Sequence, residues 1–77
     1  NMQKLYKTPD FNLASVLSYF GPYLVSIEKF NGKVIWCFQE TEELEKLVSD
    51  YSRGVLEVNV VEFLSKQKLI KSTIYNS

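Results

Sequence analysis

Apolar residues recur along this chain with two different periods, and the switches between them mark its elements. From Lys4 to Lys7 a short polar and apolar alternation around Leu5 and Tyr6 predicts an opening strand. Thr8-Pro9-Asp10 then reads as a helix start, with Thr8 or Asp10 accepting from the orphan N–H groups and Pro9 preorganised for the first turn. Leu13, Val16, Leu17 and Phe20 follow at helical spacing, Ala14 permits close approach to a neighbour, and Gly21-Pro22 stops the helix.

Two strands, Tyr23 to Phe30 and Lys33 to Gln39, flank Asn31-Gly32, the dipeptide that most favours a type I′ turn because both central residues need positive φ. The two-residue loop sets an expected register of Phe30 with Lys33, Ile27 with Trp36, and Val25 with Phe38. Val25, Ile27, Val34, Trp36 and Phe38 would then line the core side, interrupted by Lys29. The other side would carry Leu24, Ser26, Glu28, Phe30, Lys33, Ile35, Cys37 and Gln39.

Thr41 caps an expected second helix whose first turn holds Glu42, Glu43 and Glu45, where the macrodipole favours negative charge. Leu44, Leu47, Val48 and Tyr51 form its stripe, and Arg53-Gly54 its end. Asn59 is placed to cap a third helix, with Glu62 reaching back in a capping box and Val58 stapled to Phe63. Val60, Phe63, Leu64 and Ile70 predict its buried side, Gln67 interrupts it, and fraying is expected after Ser72, with 75–77 loose. The order β, α, β, β, α, α predicts a two-layer α+β fold, an antiparallel hairpin sheet packed on helices, over 1–77 as one domain.

Length narrows the energetics. A chain of 77 residues buries only roughly 60 to 65% of its unfolded surface and is stable by about 4 to 11 kcal/mol. An aromatic share of 14% supports a core without staples. Nine basic residues balance nine acidic ones, which removes net positive charge as an argument for nucleic acid. The single Cys37 cannot form an intramolecular disulfide, which favours the cytoplasm. No apolar run approaches a membrane span and no signal-peptide pattern opens the chain. Asn1 ahead of Met2 reads as a vector-derived residue, with the native start expected at Met2.

Candidate chemistry is sparse. Histidine is absent, which removes the commonest general base and metal ligand. Cys37 has only strand neighbours to activate it and reads as a small hydrophobe. The acidic run Glu40, Glu42, Glu43 and Glu45 is explained by the helix start, and each glycine stands alone at a turn or cap, with no phosphate-cradling loop. No catalytic residue, metal site or cofactor is expected, and the reading is a binding module, not an enzyme.

Two surfaces could bind. Leu24, Phe30, Ile35 and Cys37 would form an apolar patch if no helix covers the second sheet face, and such patches mark partner sites. The alternative is that the third helix or opening strand packs there. A protein partner or a second copy fits this surface. The runner-up is nucleic acid, held by Lys66, Lys68 and Lys71 on the third helix with Lys33 at the hairpin end.

The stretch Y-K-T-P-D-F-N-L-A-S-V-L, with Tyr6, Thr8, Asp10, Leu13, Ala14 and Leu17 at its matching positions, resembles a small family of domains of unknown function scattered through phage, bacterial and archaeal genomes. The likeness continues through T-E-E-L-E-K-L-V and V-N-V-V-E-F, where Val60 stands in place of the proline that relatives often carry. The resemblance implies a viral or mobile-element accessory setting and brings no catalytic residues.

Overall fold

The computed structural model describes residues 4–21 and 24–75. Its elements are β1 (Leu5–Thr8), α1 (Phe11–Phe20), β2 (Leu24–Phe30), β3 (Lys33–Gln39), α2 (Glu42–Arg53) and α3 (Val60–Tyr75), an α+β fold in the expected order. The three strands form one antiparallel sheet in the order β1-β3-β2. β1 lies one residue later than the alternation suggested, because Thr8 pairs with Trp36 and is buried. The expected start of the hairpin at Tyr23, and the roles of Pro22 and Met2, fall outside the described residues.

Asn31 and Gly32 adopt φ of 52° and 79°, as a type I′ turn requires, and Phe30 pairs with Lys33 and Ile27 with Trp36 as expected. The register changes beyond that point. Leu24, not Val25, faces Phe38, because a β-bulge between Leu24 and Ser26 leaves Val25 outside the ladder. The extra residue turns Leu24 onto the core side, where it packs against the buried cluster. Val25 is left 51% exposed.

The caps explain why the helices begin where they do. Asp10 caps α1 by accepting from the N–H groups of Asn12 and Leu13, while Thr8 accepts from the N–H of Asp10. Thr41 caps α2 by accepting from Leu44, and Gly54 ends it in the left-handed region. Asn59 accepts from the N–H of Glu62 at the start of α3. Its own N–H does not close the expected capping box with the Glu62 side chain but donates to the Tyr19 hydroxyl at 3.0 Å.

Trp36, Phe38, Leu13, Ala14, Leu17, Leu44 and Ile70 form the core, with Tyr6, Ile27 and Val34 packed against it. α1 runs between α2 and α3, so five consecutive residues, Leu13 to Leu17, are buried; Ser15 satisfies its hydroxyl on the Phe11 carbonyl. The Cα extents are 33 × 32 × 18 Å. Since packed layers lie about 10 Å apart, that thickness admits the sheet and one layer of helices. Among the described residues no helix lies on the second sheet face, where Ser26, Glu28, Phe30, Lys33 and Gln39 are exposed.

The inward stripe of α3 is Phe63, Gln67, Ile70 and Ile74, with Thr73 beside it. Val60 and Leu64, expected inside, are instead 65% and 51% exposed. The helix also continues past Ser72 to Tyr75. Two contacts hold that end: Trp36 Nε1 donates to Thr73 Oγ1 at 3.0 Å, and Lys29 Nζ donates to the Ile74 carbonyl at 3.0 Å. A lysine on a C-terminal carbonyl also meets the negative end of the helix dipole.

Candidate interaction surface

The four hairpin residues Leu24, Phe30, Ile35 and Cys37 are not brought together as one apolar patch. Leu24 has turned to the core side through the bulge. Cys37 keeps its place on the open face but is completely buried by its surroundings on the central strand, between Lys7 of β1 and Ser26 of β2. Over that strand the Lys7 ammonium reaches Glu28 at 2.9 Å, joining β1 to β2. The hydrogen bond from Lys7 to Glu28 and the attraction of that carboxylate push the lysine pKa above 10.5. Phe30 remains 71% exposed at the hairpin end, while Ile35 is half-buried. The open face is therefore a mostly polar surface with one exposed ring.

The lysines also separate. Lys33 lies on the open sheet face beside the turn, whereas Lys66, Lys68 and Lys71 belong to the helix layer. By the 3.6-residue period Lys68 and Lys71 share one side of α3, and Lys66 points to the opposite side. A single four-lysine phosphate track is not formed.

Sequence reasoning placed Lys68 and Lys71 on an exposed side of α3 but missed the apolar residues that share it. Val60, Val61 and Leu64 stand exposed in its first turns, with Lys68, Lys71 and Tyr75 continuing the same side. Two shallow hollows flank Leu64: one of about 380 Å³ lined by Val61, Leu64, Ser65 and Lys68, the other of about 300 Å³ lined by Phe11, Leu64, Gln67, Lys68 and Lys71. The signal was present, since α3 has more apolar residues than one stripe can hold. The stripe that turns inward is the one that contains Gln67, whose amide donates to the Asn12 side chain on α1 at 3.3 Å.

A third hollow of about 260 Å³ lies between helices, lined by Val16, Tyr51, Gly54, Leu56, Val58 and Phe63. It brings no acid and base together. Tyr51 beside it has its phenol pushed above 10.0, first by burial and then by the Asp10 carboxylate. Among the described residues no group of three or more Cys, Asp or Glu is placed to hold a metal ion, and no helix is long and apolar enough to cross a membrane.

No curated protein and no solved structure matches the chain. Residues 3–76 match the model of the family described as Domain of unknown function (DUF5659), which agrees with the resemblance read from Tyr6 to Leu17. The chain belongs to that family.

Proposed function

We propose that this protein is a non-enzymatic protein-interaction module that presents the outward side of α3 to a partner. The observation that carries this reading is the exposure of Val60, Val61 and Leu64 together, on a helix held firmly from behind by α1 and the sheet. Isolated exposed apolar residues need no explanation, but a run of three beside two hollows resembles a recognition surface. The sheet edges are less suited to recognition by strand addition. β1 has four residues, and β2 is bent by its bulge. A viral or mobile-element accessory role in a host cytoplasm is the setting that the family resemblance implies.

Photo-cross-linking tests this. A benzophenone amino acid at position 64, in protein expressed in its source cells, should give a discrete adduct that Val61→Asp diminishes. The same group at position 43, on exposed α2, serves as the control. Equal labelling from the two positions would refute the reading.

A further inference from the structure

We infer that the partner of this surface is an amphipathic helix carrying acidic residues, laid along α3; this rests on the interaction reading above. Val61, Leu64, Lys68, Lys71 and Tyr75 recur at alternating three- and four-residue steps, the a and d spacing by which one helix meets another. All five are exposed. They form a second seam on a helix whose first seam, Phe63, Gln67, Ile70 and Ile74, is turned inward. The hollows on either side of Leu64 are where side chains of an incoming helix would insert, and Phe11 extends the apolar lining onto α1.

Charge decides between occupants. The only ionic residues in the seam are Lys68 and Lys71, and neither makes an ion pair with a described residue. Glu62, the one acid of α3, lies on the far side by the helical period. A second copy is disfavoured in both directions. Parallel pairing sets Lys68 and Lys71 against themselves, and antiparallel pairing centred on the seam sets Lys68 against Lys68. Carboxylates on a partner helix would meet both ammonium groups while its apolar residues cover Val61 and Leu64. Nucleic acid would use the lysines but leave the apolar half of the seam uncovered.

The test is selection of a displayed library of amphipathic helical peptides, with an apolar seam and randomised flanks, on the full chain. Acidic flanks should be enriched, and replacing Glu by Lys in a recovered peptide should weaken binding at least tenfold. A Lys68→Glu, Lys71→Glu double variant should reverse the preference, and Leu64→Asp should abolish binding of both peptide classes while the circular dichroism spectrum stays unchanged. Enrichment of neutral or basic flanks, or no enrichment, overturns the inference. So does a concentration-dependent dimer that Leu64→Asp dissolves, which would make the occupant a second copy. Oligonucleotide binding that survives Leu64→Asp and is lost in the lysine double variant overturns it too. A position-64 adduct without peptide enrichment would remove this partner class while leaving the interaction module standing.

Discussion

Tyr51 shows how a partly buried polar group couples this domain's stability to pH. Its phenol is held neutral by burial and by the Asp10 carboxylate, so its folded pKa lies above the unfolded value of 10.0. The folded state therefore holds that proton more tightly, and the contribution is complete below pH 10.0 and lost as pH rises through the folded pKa. Lys7, raised from 10.5 by Glu28, acts in the same direction. Urea midpoints should fall between neutral pH and about pH 11, and Tyr51→Phe should make that fall shallower. An equally steep fall in the variant would remove Tyr51 from the cause. Residue roles of this kind are legible in sequence only where they are local. Thr41 announces itself as a cap and Thr8-Pro9-Asp10 as a helix start in which either Thr8 or Asp10 could cap, whereas the partner of Gln67 is Asn12, 55 positions away.

At the scale of elements, the hairpin turn and the places where the three helices start follow from adjacent residues and were readable in advance, although Pro9, expected in the first turn of α1, lies just before its Asp10 cap, and the capping box of α3 does not close. The bulge was not. Strict alternation from the turn puts Val25 inside, and nothing in L-V-S-I advertises an inserted residue, because Leu24 and Val25 are both acceptable on a core face. The outcome follows from the pairing of Leu24 with Phe38, which buries the larger side chain against the cluster. Leu24→Ala should therefore cost about 1 kcal/mol, less than full burial of a leucine is worth, and Val25→Ala less than about 0.5 kcal/mol. Denaturant titration with the two costs reversed would return Val25 to the core. The same ambiguity governs α3, where two apolar stripes compete and only contact with α1 selects one.

For the whole molecule, one layer of helices on one sheet buries the middle of α1 on all sides but leaves the flanking α2 and α3 each with an outward side. Nothing in a single sequence shows that α1 takes the middle position or that the second sheet face stays open; the first follows from the packing of α1 against both α2 and α3, the second from the 18 Å thickness. The candidate surface on α3 was for that reason the least legible part. Because Val61 and Leu64 touch solvent, Val61→Asp and Leu64→Asp should each change unfolding free energy by no more than about 0.5 kcal/mol. A loss of several kcal/mol in thermal or urea unfolding would mean that the face packs inside the domain after all. Trp36, the chain's single tryptophan, sits where the sheet meets the far end of α3, almost wholly buried with its indole N–H on Thr73. Its emission is thus an intrinsic gauge of whether α3 stays seated. A ligand resting on the outer seam leaves that indole dry and its spectrum blue, whereas one that pries the helix away would wet it and shift the emission to the red.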